Sequence, residues 1–114
     1  MSDHWTEDAS FVVRRSGDLA EVRICGTLCR TDASAVRRRL GHLIDAGVTC
    51  IDLDLGGIQD ADPAGLATLV IAARRLRGSH GRLSFSALSD ESAEILSRLH
   101  LFVDDVSERR PQAV

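Results

Sequence analysis

The chain contains 114 residues, of which 44% are hydrophobic and 27% are charged, and its formal net charge is −3. This length fits one domain with a core of its own, and the hydrophobic content excludes an intrinsically disordered chain. The small net charge gives no indication of a partner held by bulk electrostatics.

No segment of the sequence indicates secretion or membrane insertion. The first residues are acidic and polar, whereas a secretory signal begins with a basic and apolar stretch. The longest apolar run, from Leu66 to Ala73, is far shorter than the roughly 20 residues that a membrane-spanning helix needs. We therefore expect a cytoplasmic protein without direct membrane insertion.

Alternation of apolar and polar residues predicts the strands. Residues 11–15 and 19–25 flank Ser16-Gly17-Asp18, whose turn chemistry predicts an antiparallel hairpin. Residues 19–25, 50–55 and 82–87 alternate with a period of two, which is typical of a sheet with one buried and one wetter face. A Rossmann-type sheet is buried on both faces and would show continuous apolar runs instead.

Capping residues predict where the first two helices begin. Thr31 or Asp32 is expected to cap a helix that ends at Gly47. Asp62 is expected to cap a second helix with Pro63 at its first position, where the missing N–H is harmless. The predicted inner stripe of this second helix, which ends at Gly78, consists of Leu66, Leu69, Val70, Ala73 and Leu76.

A third helix is predicted to open at Ser89, with acidic residues in its first turn where the helix dipole favours them. A last short strand is predicted from Phe102-Val103. Because each β-α-β crossover is right-handed, the helices are expected on one side of the sheet. The sequence therefore predicts an α/β domain with a mixed sheet of four to five strands, and helices packed mainly on one face.

The segment from Ile51 to Val70 resembles the signature of STAS domains, the family of anti-sigma-factor antagonists. In that family an Asp-Leu pair on the strand is followed by Asp-Ser-(Ser, Thr or Ala)-Gly-Leu. Asp54-Leu55 and residues 62–66, Asp-Pro-Ala-Gly-Leu, match this pattern in register except at Pro63. The family places the serine or threonine that a partner kinase phosphorylates at this position. Capping and close helix packing also explain this turn without any function.

The resemblance covers about residues 10–106 and implies a STAS-like domain there, with flexible tails at 1–9 and 107–114. It implies a partner-binding surface made of two segments. The segment after the second strand usually has the sequence Gly-Glu-Leu-Asp in the family, and both acidic positions are uncharged here. The implied partner-binding residues are Gly26, Thr27, Leu28, Cys29, Asp60, Asp62, Pro63, Ala64 and Gly65.

By resemblance, the function is that of an anti-sigma-factor antagonist. Such a protein binds an anti-sigma factor with a kinase-like ATPase fold, releases a sigma factor and so regulates transcription. Pro63 has no hydroxyl, so we expect no control by phosphorylation at the usual site. The other nearby hydroxyls do not match the family position: Thr27, Thr31, Ser34 and Thr68. The alternative is a STAS-like accessory subunit that docks on the ATPase of a phospholipid-transport ABC system. The sequence does not decide whether two copies form a homodimer across the open face of the sheet.

Three cysteines, Cys25, Cys29 and Cys50, make an odd count. The main interpretation is partly buried thiols without a further role. The alternative hypothesis is a redox switch in which oxidation of these residues reshapes the binding surface.

The sequence predicts no catalytic, cofactor or metal site. It has no Gly-rich phosphate loop followed by Lys-Ser or Lys-Thr, and its histidines lack metal-ligand spacing. The arginine clusters at 37–39 and 74–77 are interpreted as solvated helix faces, and no nucleic-acid partner is expected. The aspartates that precede the second helix lack a nucleophile or basic partner, so we expect no enzyme: Asp52, Asp54, Asp60 and Asp62.

Overall fold

The computed structural model describes residues 5–8, 11–98 and 107–108. The strands are β1 (Trp5–Asp8), β2 (Phe11–Ser16), β3 (Leu19–Ile24), β4 (Gly26–Leu28), β5 (Cys50–Leu55), β6 (Ile58–Ala61), β7 (Arg82–Leu88) and β8 (Ser107–Glu108). The helices are α1 (Arg30–Asp45), α2 (Pro63–Gly78) and α3 (Asp90–Arg98).

The strands form one six-stranded mixed sheet and one small parallel pair. The large sheet has the order β1-β2-β3-β5-β7-β8, antiparallel between β1, β2 and β3 and parallel from β3 to β8. The prediction of an α/β fold with a mixed sheet is confirmed, with β2, β3, β5 and β7 as its longer strands. The short outer strands β1 and β8 lie where chain tails were expected. They were not predicted because strands of four and two residues are too short to show a pattern of alternation. Residues 102–103, predicted as a strand, lie outside the described part.

The predicted burial alternation is confirmed in β3 and β5, whereas in β7 Ser84 is buried between Leu83 and Phe85. Val22 and Ile24 of β3 are buried, as are Ile51, Leu53 and Leu55 of β5. They form one core with buried residues of all three helices, among them Val36, Leu40, Leu66, Leu69, Leu76, Ile95 and Leu96. The helices therefore cover the apolar face.

The opposite face of the sheet is open and charged. Arg14 pairs with Glu21 at 3.6 Å, and Arg23 pairs with Asp54 at 3.4 Å. Because these side chains remain partly exposed, each pair contributes about 1 kcal/mol or less to stability.

The beginning of α1 differs from the prediction. The helix begins at Arg30 with Cys29 as its N-cap, whereas Thr31 or Asp32 was expected to cap it. Asp32 instead lies at the third helical position, where its Oδ2 accepts a hydrogen bond from the Cys29 N–H at 2.8 Å. Cysteine is a rare N-cap, so the sequence pattern favoured the later residues. Gly47, just after the helix, has the positive φ of 102° expected of a helix-ending glycine.

The predicted starts of α2 and α3 are confirmed. Asp62 caps α2, and Pro63 is the first helical residue. The whole predicted inner stripe of α2 is buried. Ser89 precedes α3, and its Oγ accepts a hydrogen bond from the Ser92 N–H at 3.1 Å.

The small parallel pair was missed by the sequence analysis, and it positions the loops of interest. β4 and β6 pair from Gly26 opposite Ile58 to Leu28 opposite Ala61, with a shift of register between Gly26 and Thr27. Strands of three and four residues are too short to be recognised by alternation. Their pairing holds the segment after β3 directly beside the segment that leads into α2.

Gly65 permits the first turn of α2 to lie against this pair. A Cβ at this position would overlap the carbonyl oxygen of Leu28 and lie 2.9 Å from the Cys29 nitrogen. The predicted close packing of helix and strand is therefore confirmed. The atoms nearest to Gly65 belong to the backbone of Leu28 and Cys29, which cannot rotate away as a side chain can.

We expect Gly65→Ala to lower the free energy of unfolding by about 2–4 kcal/mol, because α2 must move away from β4. Gly78→Ala is the matched control in the same helix, since a Cβ there meets nothing within 4 Å. The control should be neutral or stabilising by up to about 1 kcal/mol. Urea denaturation measures both, and equal stability of the two variants would contradict the packing.

Candidate partner-binding site

The β4–β6 pair brings the two predicted binding segments to one end of the molecule. Thr27 lies opposite Asp60 in this pair, and the N–H of Asp62 donates to the carbonyl oxygen of Leu28 at 3.3 Å. Cys29 and Asp62 then cap the helices that follow each strand. We call the nine residues together the helix-start site: Gly26, Thr27, Leu28, Cys29, Asp60, Asp62, Pro63, Ala64 and Gly65.

The Asp62 carboxylate connects the N-termini of both helices. Its Oδ1 accepts a hydrogen bond from the Gly65 N–H of α2 at 2.8 Å. Its Oδ2 accepts from the Arg30 N–H, the first helical residue of α1, at 2.9 Å. One side chain thereby satisfies backbone donors that each helix would otherwise leave unpaired. The link to α1 was not predicted, because it joins residues that are distant in sequence.

Asp32 is a second organising residue that the sequence analysis did not assign to the site. Besides accepting from the Cys29 N–H, its Oδ2 accepts from the Thr27 hydroxyl at 3.0 Å. An acidic residue three positions after a helix cap is the spacing of a capping box. This spacing could have identified Asp32 if Cys29 had been recognised as the cap.

The site residues divide into exposed and supporting ones. Thr27, Asp60, Pro63 and Ala64 are exposed and can meet a partner directly. Leu28 and Gly65 are buried and hold the strand pair and the helix in place, while Gly26, Cys29 and Asp62 are half-buried. Gly26 has a φ of 88°, which favours glycine at the turn into β4.

The electrostatics of the site are dominated by carboxylates. Backbone hydrogen bonds from Gly65 and Arg30 hold the pKa of the Asp62 carboxyl below its usual value. Partial burial raises the pKa of the Cys29 thiol, and the negative charges of Asp60, Asp62 and Asp32 raise it further. The site is thus acidic at neutral pH although Thr27 and Cys29 are themselves uncharged.

The nearby hydroxyl groups differ in accessibility. Thr68 is buried, and its Oγ1 donates to the Gly65 carbonyl at 2.6 Å, so a kinase cannot reach it in the folded chain. Thr27, Thr31 and Ser34 are exposed. Pro63, at the family's phosphorylation position, is exposed but has no group to phosphorylate.

The three cysteines are free thiols of intermediate exposure. Cys50 lies opposite Leu19 at one end of β3, and Cys25 follows the other end of that strand, about 20 Å away along six residues. These two thiols cannot pair within one chain. The raised pKa of Cys29 disfavours its reactive thiolate form at neutral pH. The redox switch stays a prediction, and its raised pKa makes Cys29 the least favourable of the three cysteines for oxidation.

Two of the aspartates around β5 and β6 have separate structural partners. Asp54 pairs with Arg23 and accepts a hydrogen bond from the Gly56 N–H at 2.9 Å, whereas Asp62 caps helices. Within the described ranges, no group of three or more His, Cys, Asp or Glu is arranged to hold a metal ion. None of the helices in the described part has the length and apolar character that a transmembrane span requires.

Removing the Asp62 carboxylate should destabilise the fold. Asp62→Ala deprives α2 of its cap and the first N–H of α1 of its acceptor, so we expect a loss of about 1–3 kcal/mol in the free energy of unfolding. Asp62→Asn keeps one acceptor oxygen and should lose less. Asp60→Ala changes an exposed neighbour and should stay within about 0.5 kcal/mol of the parent chain. Urea titrations compare the three, and an unaffected Asp62→Ala would contradict the double cap.

The Asp62 contribution should depend on pH. A carboxyl whose pKa is lowered by folding stabilises the native state above its unfolded value, about 3.9, and loses that contribution as the pH falls through the lowered folded value. The stability difference between the parent chain and Asp62→Asn should therefore be full at pH 6 to 7 and shrink in acid. Urea titrations across this range measure it, and a pH-independent difference would contradict the assignment.

Comparison with known proteins agrees with this geometry. The family model described as Mlab, STAS domain matches residues 11–102. A comparison with curated proteins finds no match. The unphosphorylated form of the anti-sigma factor antagonist SpoIIAA has a TM-score of 0.76 at 16% identity, over 90% of this chain and 89% of that one.

Two further solved structures share the architecture. The phosphorylated form of SpoIIAA from Bacillus has a TM-score of 0.71 at 15% identity, over 90% of this chain and 92% of that one. An anti-sigma factor antagonist from Mycobacterium paratuberculosis has a TM-score of 0.76 at 16% identity, over 99% of this chain and 92% of that one. At these identities the likeness shows a common fold. Because the family model spans most of the sequence, the chain belongs to the STAS domain family.

Proposed function

We propose that this chain is an anti-sigma-factor antagonist: a non-catalytic module that binds an anti-sigma factor, releases a sigma factor and so regulates transcription in the cytoplasm. The observation that carries this proposal is the exposed part of the helix-start site. The exposed residues are Thr27, Asp60, Pro63 and Ala64. They lie beside Asp62, whose carboxylate accepts hydrogen bonds from the N-termini of both α1 and α2. A pre-ordered surface binds without an ordering cost. The likeness to solved anti-sigma factor antagonists supports the same function.

The proposed module is binding-competent without a phosphorylation switch at the usual position. A phosphate adds about −1.5 to −2 charge units at neutral pH, which can disrupt a docked surface. Pro63 cannot carry one, and the buried Thr68 does not replace it. Binding is therefore set by the amounts of the two partners or by a change elsewhere in the chain.

The proposed partner is an anti-sigma factor with a kinase-like ATPase fold that presents a basic surface. The family's acidic residues are missing at Thr27 and Cys29, but Asp32 and Asp60 lie directly beside these positions. The carboxylates of Asp32, Asp60 and Asp62 all act on the Cys29 thiol, which places the three charges around one point. Neighbouring residues thus restore the acidic character of the site.

The second candidate is an accessory subunit that docks on the ATPase of a phospholipid-transport ABC system. The observation that favours it is the matched family model, which is described as Mlab rather than as an anti-sigma factor antagonist. The same helix-start site would form the contact. The two candidates differ in the identity of the partner and require no cofactor in this chain.

Affinity capture of the tagged chain from its own cell extract, followed by mass spectrometry, separates the candidates. A kinase-like anti-sigma factor on an unphosphorylated bait supports the antagonist, whereas an ABC ATPase supports the second candidate. Ala64→Arg places a bulky charge in the exposed site and should abolish capture of either partner. Ala46→Arg, at an alanine that is also exposed and lies at the C-terminal end of α1, is the control and should capture normally. Normal capture by Ala64→Arg would contradict the site.

Pro63→Ser should install the missing phosphorylation position. Losing proline at the first helical position should cost about 0.4–1 kcal/mol of stability while leaving the fold intact. If the captured partner is a kinase, it should phosphorylate Pro63→Ser but not the parent chain, and the phosphorylated variant should then be released. Phosphate incorporation and retention on the partner measure both steps. Incorporation into the parent chain to the same extent would contradict a module without a phosphorylation switch.

A further inference from the structure

A groove lies between α1 and β2. It has a volume of about 430 Å³, and the described residues that line it are Phe11, Val13, Arg38, Arg39, His42 and Leu43. Pockets that hold small molecules usually measure about 300–1,000 Å³. The sequence analysis interpreted the arginines at 37–39 as one solvated helix face, but the structure separates them. Arg37 lies on the side of α1 that faces α2, whereas its two neighbours border the groove.

The floor of the groove is apolar. Phe11 is buried in the core, while Val13 and Leu43 are half-buried and pack against the core at its edge. The Cζ of Arg39 lies 5.1 Å from the centroid of the Phe11 ring, a cation–π contact that keeps this side chain beside the floor. Because covering the exposed parts of Val13 and Leu43 removes apolar surface from water, the floor favours a ligand with an aliphatic part.

The rim of the groove is basic. Arg38 and His42 are exposed and four residues apart, so they lie on successive turns of the same side of α1. Within the described part of the chain, none of the lining residues is acidic. β1 brings one acidic residue to this end of the sheet, since Asp8 pairs with Phe11. The guanidinium of arginine offers a fixed fork of N–H donors that matches a carboxylate. The rim therefore favours a ligand with an anionic group.

We propose that this groove, which we call the α1–β2 groove, binds a small aliphatic carboxylate. The carboxylate group accepts hydrogen bonds from Arg38 and His42, and the hydrocarbon part covers Val13 and Leu43. The inference goes beyond the proposed function, because the groove is separate from the helix-start site. Arg38 follows the first residue of α1 by eight residues, which is about 12 Å along the helix.

The dimensions of the groove favour a small molecule over a protein segment. Its lining extends along α1 from Arg38 to Leu43, roughly 8 Å of helix axis. Along β2 it extends from Phe11 to Val13, roughly 7 Å of strand. Since an extended segment advances by about 3.3 Å per residue, only about two or three of its residues would lie in the groove. A short fatty acid has its charge and its apolar part within that distance.

Titration of the isotope-labelled full chain with sodium octanoate, followed by two-dimensional NMR spectra of the backbone amides, tests the proposal. Octanoate should shift the signals of residues 11–13 and 38–43 in a saturable way. Acetate lacks the hydrocarbon chain, and octyltrimethylammonium reverses the charge of the head group. Both should bind weaker than octanoate by roughly tenfold or more, because each keeps only one of the two interactions.

Variants assign the binding to the groove. Arg38→Glu/His42→Glu should weaken octanoate binding by roughly tenfold or more, because carboxylates replace the basic rim. Arg37→Glu/His80→Glu is the matched control, since it makes the same substitutions at exposed positions outside the groove, and it should bind octanoate as the parent chain does. Ala64→Arg should also bind octanoate normally, which separates this proposal from a failure of the helix-start site. Circular dichroism confirms that each variant is folded.

Several outcomes would overturn the proposal. The absence of saturable shifts, or equal losses in the two double variants, would show that the groove does not hold the ligand. Equal binding of octanoate and octyltrimethylammonium would show adsorption of any hydrocarbon chain. Equal binding of octanoate and acetate would show an anion site without an apolar part. Shifts confined to the open sheet face around Glu21 and Asp52 would place the ligand elsewhere.

Discussion

The end of this domain at which we propose that a partner binds depends on one carboxylate that accepts backbone hydrogen bonds from two helices. Asp62 caps its own helix through Gly65 and holds the first N–H of α1 through Arg30. Each N-terminus would otherwise expose unpaired donors, and α1 could shift relative to α2. The β4–β6 pair and the glycine at position 65 bring the two starts close enough for one side chain to span them. The geometry of the site therefore follows from backbone contacts rather than from its exposed side chains.

Neighbouring residues in this part of the domain differ in what they do, since some pack against α2 and others face solvent. Leu28 and Gly65 are buried and cannot change without moving the helix, whereas Pro63 and Ala64 are exposed and can vary. In a STAS domain without a hydroxyl at position 63, Asp62 keeps its structural role. Its lowered pKa keeps the carboxylate ionised, as the double cap requires, and adds negative charge to the surface that we propose for the partner.

Local patterns predicted much of the fold. Period-two alternation identified β3, β5 and β7, and Asp62-Pro63 marked the start of α2 correctly. Contacts between distant segments escaped prediction, since nothing local links Arg30 to Asp62 or Thr27 to Asp60. Short strands also escaped, because three or four residues show no periodicity. The unusual cap Cys29 hid both the true start of α1 and the role of Asp32.

We propose that a partner binds to the helix starts that Asp62 connects. Hydrogen–deuterium exchange of the chain, alone and with the captured partner, tests it most directly. We expect slower exchange on binding in residues 26–32 and 60–66, with the open sheet face around Glu21 and Asp52 unchanged. Protection confined to that sheet face, with no change at the helix starts, would contradict the account.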